Sequence, residues 1–225
     1  LGVMGWADSL LMMKIPYNST EAIELGERLM KFINEVGREK SQEIAAKRGT
    51  FPLFEESILP KDKPQRNGTI TTIAPTGTLS IIAECSSGVE PIFGYVFVRN
   101  IMDGTEMLEV NSVLKEELER RGLYSEALMK RIAKEGSIAH IEEIPEDIRR
   151  VFVSSHDISP EDHIRMQAAF QKYTDNAVSK TVNFSHAATE EDVAEVYKLA
   201  FRLGCKGVTL SLIHISEPTR PRLIS

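Results

Sequence analysis

Asn67-Gly68-Thr69-Ile70-Thr71-Thr72-Ile73-Ala74-Pro75-Thr76-Gly77-Thr78-Leu79-Ser80-Ile81-Ile82-Ala83 decides the reading of this chain. The Asn-Gly pair marks a turn, and the β-branched run from Thr69 to Ala74 predicts a short strand. Pro75-Thr76-Gly77-Thr78 breaks that period, and the apolar residues after it predict a helix. A strand turning sharply into a helix presents free backbone N–H groups and the positive end of the helix dipole, which is what a phosphate needs. Gly77 lets backbone approach an anion, Thr76 and Thr78 add hydroxyls, and no carboxylate sits in Pro75, Thr76, Gly77, Thr78 or Leu79. A proline-glycine turn of this kind serves equally as a plain connection, so its context matters.

Outward from that stretch, the pattern is mixed. Met4 to Met13 predicts a short buried helix stopped by Pro16. Asn18 and Glu21 have capping spacing for a long helix carrying Ile23, Leu29, Met30, Ile33, Val36 and Ile44 and closed by Gly49. Three prolines make residues 50–68 a loop. Downstream, Gly94 to Ile101 predicts a strand, Glu106 to Arg121 a helix, and Ser125 to Lys134 another. Ser159-Pro160-Glu161-Asp162 starts a helix running to about Tyr173. Lys180 to Phe184 predicts a strand, Thr189 caps a helix that ends before Gly204, and Val208 opens one more strand. Helices and strands alternating with long connections and no internal repeat indicate an α/β domain.

Composition excludes several classes. The chain has 225 residues, 42% apolar and 27% charged, with a formal net charge of -6 spread along its length. No basic stripe interleaved with aromatics suits a nucleic acid, and no apolar run approaches a membrane span. Two cysteines, Cys85 and Cys205, without a CxxC or zinc-type cluster suit a reducing compartment, so a cytoplasmic location is the expectation. Cys85, Cys205 and Met12, Met13, Met30, Met129 and Met166 are expected to pack. His140, His156, His163 and His186 lack ligand spacing and receive no role. Glu90 reads equally as a turn-fixing carboxylate and as a group near an active-site mouth. Asn176, Lys180 and Asn183 flank a strand whose inward face alternation alone does not name.

Three long stretches carry a resemblance. Arg66 to Ser80 followed by Cys85-Ser86-Ser87-Gly88-Val89-Glu90-Pro91, the opening Leu1-Gly2-Val3-Met4-Gly5-Trp6-Ala7-Asp8, and Gln167 to Gln171 with Asp175 to Asn183 resemble, in order and spacing, the ribonucleotide reductase catalytic subunit, most closely its adenosylcobalamin-dependent class. Lys206-Gly207-Val208-Thr209 extends the match, so it covers residues 1–209. The resemblance implies the later half of a ten-stranded α/β barrel, adenosylcobalamin as cofactor, a ribonucleotide substrate, a thioredoxin-type reductant and a homodimeric full-length enzyme. It carries Pro75, Thr76, Gly77, Thr78 and Leu79 over as the substrate-phosphate loop. The family's radical cysteine motif is expected upstream of Leu1, so no catalytic residue and no metal ligand is assigned. Two alternatives stand beside this: the oxygen-dependent class with a separate radical-generating subunit, and a non-catalytic nucleotide-binding module. Residues 210–225, beginning Leu210-Ser211-Leu212-Ile213-His214, resemble a translated sequencing-library adaptor and are expected to be a scar.

Overall fold

A computed structural model describes residues 1–100, 106–185 and 187–213. The chain opens with α1 (Trp6–Met12), entered through Gly5, and turns into the long α2 (Thr20–Arg48). The cap of α2 is Ser19, whose side chain accepts from the Ala22 N–H, one residue later than the Asn18 expected. The buried side of α2 also differs from the apolar list. Ala22, Gly26, Met30, Asn34, Ser41 and Ala45 face inward, while Val36 lies exposed. Small residues at four-residue spacing let α2 pack closely on α7 (Pro160–Gln171), where Gly26 sits against the Phe170 ring.

After the loop at 50–68, residues 69–74 are extended but form no named strand. Ile73 makes an isolated parallel bridge to Val178. The backbone is nevertheless held on both sides. Leu1 bonds Ile70 and Thr72 on one flank, and Ala177 and Ser179 bond Ile73 on the other. The short α3 (Gly77–Ile82) follows, as the sequence predicts.

The predicted helix over 106–121 is two elements. β1 (Val96–Asn100) pairs antiparallel with β2 (Glu106–Val110), Val96 opposite Val110, and α4 (Ser112–Arg120) begins only after Asn111 caps it. An asparagine that accepts the Leu114 N–H starts a helix, so the residues before it were free to pair with β1. Ile101 at the end of the predicted strand lies outside the described residues. α5 (Glu126–Glu135) begins at its Ser125 cap, and α6 (Glu146–Val151) is a short helix not anticipated. Leu114, Leu118, Met129, Ile132, Ile141 and Phe152 join these elements in one core. A second core gathers Trp6, Tyr17, Met30, Ile73 and Phe170 around α1, α2 and α7.

The last unit is β3 (Thr181–Ser185), α8 (Glu190–Arg202) and β4 (Thr209–Ile213), with β4 parallel to β3 and Thr181 opposite Thr209. Parallel neighbours need such a crossover helix. The mixed α/β class is what the sequence predicts, but the described strands form two separate two-stranded sheets and close no barrel. Met30, Met129 and Met166 are buried as expected, whereas Met12 and Met13 are exposed. His186 and His214 lie outside the described residues, as do residues 214–225 of the expected scar; Leu210 to Ile213 lie in β4.

Candidate functional site

The extended residues 69–74 deliver the chain to the loop, and their placement rests on Asp175. Its carboxylate accepts from the Ile70 N–H at 2.7 Å and the Thr71 N–H at 3.2 Å, and pairs with Arg38 and Asn34 from α2. The Thr71 hydroxyl closes the network by accepting from the Asp175 N–H at 2.8 Å. Burial pushes the Asp175 carboxyl up, but the two N–H groups, the Arg38 charge and Asn34 outweigh it and hold it below the usual carboxylate range.

Pro75, Gly77, Thr78 and Leu79 are exposed and Thr76 is partly buried. Thr76 adopts the left-handed conformation, φ 55°, a strained choice for a β-branched residue. What holds it is the Gly88 N–H, which donates to its hydroxyl at 2.8 Å. The Thr76 hydroxyl thus accepts a structural hydrogen bond and keeps its own proton to donate, and Thr78 beside it is exposed. A Cβ built on Gly77 meets nothing within 4 Å, so the space in front of the first helical turn is open. The N–H groups of Gly77, Thr78 and Leu79 have no intrahelical acceptor there.

Residues 86–90 form a turn behind this loop. The Ser80 and Ser87 hydroxyls bond at 2.8 Å, Gly5 donates to the Ser86 carbonyl, and the Ser86 N–H reaches Asp8 at 2.5 Å. Gly88 has φ 48° and passes close to the Ala74 carbonyl, which a Cβ would approach to 3.1 Å.

The turn ends at Glu90, and here the structure assembles residues the sequence left apart. Glu90 accepts from the Thr181 N–H at 2.6 Å and from the Lys180 ammonium at 3.2 Å. Lys180 is fully buried and also bonds His163 Nδ1 at 2.8 Å and the Thr181 carbonyl at 3.1 Å. Its ammonium sits 5.7 Å from the centre of the Tyr17 ring. Burial lowers the Lys180 pKa and the facing Glu90 charge opposes that shift. Burial, together with the adjacent Lys180 charge, depresses His163 to about 3, so its ring is neutral with Nδ1 as acceptor. Tyr17 is pushed well above the phenol range by burial and by Glu90, and its hydroxyl donates to the Val89 carbonyl at 2.5 Å.

His163, which its spacing left without a role, is thus buried against Lys180. Asn176 is exposed and Asn183 half-buried, so of the three polar residues flanking β3 only Lys180 faces inward. The signal was present: Val178, Lys180, Val182 and Phe184 alternate, and all are buried. Cys85 and Cys205 are partly buried, with burial pushing the Cys205 thiol up to about 11. A cavity of about 410 Å³ lies elsewhere, between α1, α4 and α6, and is lined by none of residues 75–79. Among the described residues, no cluster of His, Cys, Asp and Glu suits a metal ion, and no helix is long and apolar enough to cross a membrane.

Comparison with known proteins gives consistent matches. A family model for the ribonucleotide reductase barrel domain matches residues 1–65 and 60–211. The chain is 49% identical over 211 residues to the vitamin B12-dependent ribonucleoside-diphosphate reductase of Thermoplasma acidophilum, covering 93% of this chain and 27% of that one. It is 40% identical over 210 residues to the protein of the same description from Mycobacterium tuberculosis, covering 93% of this chain and 30% of that one. Among solved structures, the Actinobacillus ureae class Id ribonucleotide reductase alpha subunit superposes with a TM-score of 0.81 at 27% identity, over 95% of this chain and 38% of that one. The chain therefore spans under a third of the length of these curated relatives.

Proposed function

The chain belongs to the ribonucleotide reductase barrel-domain family, and we propose that it is a segment of a ribonucleoside-diphosphate reductase, contributing the loop that holds the substrate's phosphates. The observation that carries this reading is the open first turn of α3 at Gly77, behind an extended run pinned by Asp175 and a turn pinned by Glu90. The N–H groups of Gly77, Thr78 and Leu79 and the Thr78 hydroxyl bind a terminal phosphate, Pro75 sets the approach of the chain, and Thr76 holds the loop's shape while its hydroxyl proton stays available to the ligand. Residues 1–209 form part of a ten-stranded barrel completed by other parts of the polypeptide, and residues 210–225 are adaptor-derived. Cytoplasmic location, homodimerisation and a thioredoxin-type reductant belong to the complete enzyme on this reading.

Adenosylcobalamin dependence comes from the relatives' descriptions, and the identities of 49% and 40% to B12-dependent enzymes against 27% to the class Id subunit favour it over the oxygen-dependent class. When bound, that cofactor supplies the initiating radical. Among the described histidines, His163 would be unavailable to it, because Lys180 and Ser155 engage both of its ring nitrogens.

The test is Gly77→Asp in the complete natural polypeptide, assayed for conversion of ribonucleoside diphosphates to deoxyribonucleotides with adenosylcobalamin and a dithiol. A Cβ at Gly77 meets nothing within 4 Å and the backbone there is not left-handed, so the loop is expected to keep its fold while the carboxylate competes with the anion. The expected result is a KM raised at least about tenfold, the size of one lost charge-assisted contact. An unchanged KM removes the phosphate assignment. Activity without cobalamin but with a second radical-bearing subunit moves the chain to the oxygen-dependent class.

A further inference from the structure

We infer that Lys180 is a positioning residue: through Glu90 it fixes the 86–90 turn, and through that turn the shape of the loop at 75–79. The functional half of this inference rests on the phosphate reading above, while the structural half stands on contacts alone.

An ammonium has three donors and no acceptor. Those of Lys180 are all used, on Glu90, His163 Nδ1 and the Thr181 carbonyl. Because Nδ1 accepts, the proton of the neutral ring sits on Nε2, which faces the Ser155 carbonyl at 3.3 Å. His163 therefore brings no charge, and among the described residues Glu90 is the one anion in contact with the buried cation. Glu90 in turn is gripped on both oxygens by consecutive residues, the Lys180 ammonium on one and the Thr181 N–H on the other. Two residues before Glu90, the Gly88 N–H holds Thr76 in its left-handed conformation. One residue before it, the Val89 carbonyl takes the Tyr17 hydroxyl. The path from Lys180 to Thr76 thus runs through one carboxylate and one turn.

A buried ion pair adds little net stability compared with an apolar pair of the same volume, because desolvation offsets attraction. What it does supply is a unique geometry. Without Lys180, Glu90 is free to turn its partly exposed carboxylate to water and draw the turn away from β3.

The test compares Lys180→Met, Glu90→Gln and the double variant in the complete natural polypeptide, by peptide-resolved hydrogen exchange and by KM and kcat for a ribonucleoside diphosphate. Lys180→Met is expected to speed exchange in 76–90 at least about tenfold with little change in α8, and to raise KM about tenfold with kcat nearly kept. Adding Glu90→Gln is expected to restore most of the protection, since the amide carbonyl still accepts from Thr181 and no unpaired carboxylate remains. Packing loss alone would not be rescued in this way. If Lys180→Met does not fold, the same comparison is made between Glu90→Gln and the double variant, with the double variant the better protected. Equal acceleration in α8 and in 76–90, or no rescue, overturns the inference. If exchange in 76–90 responds while KM does not, Lys180 still positions the turn and the phosphate assignment falls.

Discussion

Removing the Asp175 carboxylate tests the element that carries the loop. Asp175→Ala leaves the Ile70 and Thr71 N–H groups without their acceptor, and Thr71 is fully buried. An orphaned buried donor costs about 1–3 kcal/mol, so the buried Thr71 N–H near the top of that range and the half-buried Ile70 N–H near the bottom together cost about 4 kcal/mol. Arg38 adds little to that sum because its side chain is about a third exposed and turns to water. Asp175→Asn keeps a carbonyl for the two N–H groups but aims its amide N–H₂ at Arg38 and Asn34, both donors, for a loss of about 2 kcal/mol. The reporter is built in, since Trp6 is the single tryptophan and lies buried in the core shared by Ile73 and Val178. In urea, with a slope of about 2 kcal/mol per molar, the midpoint followed by Trp6 fluorescence should fall by about 2 M for Ala and about 1 M for Asn. The carboxyl is held below its unfolded value, so its contribution is present above about pH 4 and is lost as pH falls through the lower, folded value. The Asn variant should lack that acid-side loss. A midpoint for Asp175→Ala within about 0.3 M of the parent, or Asn costing as much as Ala, would refute the reasoning.

Other outcomes follow from the same contacts. His163, depressed to about 3, binds a proton in the unfolded chain below about pH 6.5 but not in the folded one, so stability should fall from that pH toward 3, by up to about 1.4 kcal/mol per unit; urea midpoints at stepped pH check this, and His163→Gln should flatten the slope. Gly26→Ala places a Cβ 2.7 Å from the Phe170 ring, so overpacking of about 2 kcal/mol should outweigh a helix-propensity gain of about 1, a net loss visible in the melting temperature. Thr76→Val removes the acceptor for the Gly88 N–H and should raise KM for a ribonucleoside diphosphate several-fold, whereas Thr76→Asn, which tolerates the left-handed conformation and keeps an acceptor, should do less. Cys205, its thiol at about 11, should resist iodoacetamide at pH 8 in the folded protein and react on unfolding, as mass spectrometry of the labelled peptide would show.

How far the fold was legible depended on whether the signal was local. The start of α7 at Ser159-Pro160 and of α8 at Thr189 follow from capping chemistry carried by neighbouring residues, and the structure has both, with a full capping box at Thr189. The segment 106–121 was misread because Leu108 falls on the apolar side of a helix as readily as in a strand, and only pairing with β1 decides between them. The exposed Met12 and Met13 show the reverse: apolar character fixed no position where α1 ends at the surface.

The candidate site divides in the same way. The strand, tight loop and helix around Gly77 were readable because each step is a property of adjacent residues. The structural role of Thr76 was not, since nothing local shows that its hydroxyl accepts from the Gly88 N–H, twelve positions on. Lys180, Glu90 and His163 are separated by 17 and 90 positions, and a lysine in a strand normally signals a solvated face. Its place in the buried alternation with Val178, Val182 and Phe184 is the one local trace of the cluster. A charge at an inward position of a strand requires a partner, and the partner must come from another element. Such a residue marks where two distant segments are tied together, which here are β3 and the turn behind the loop.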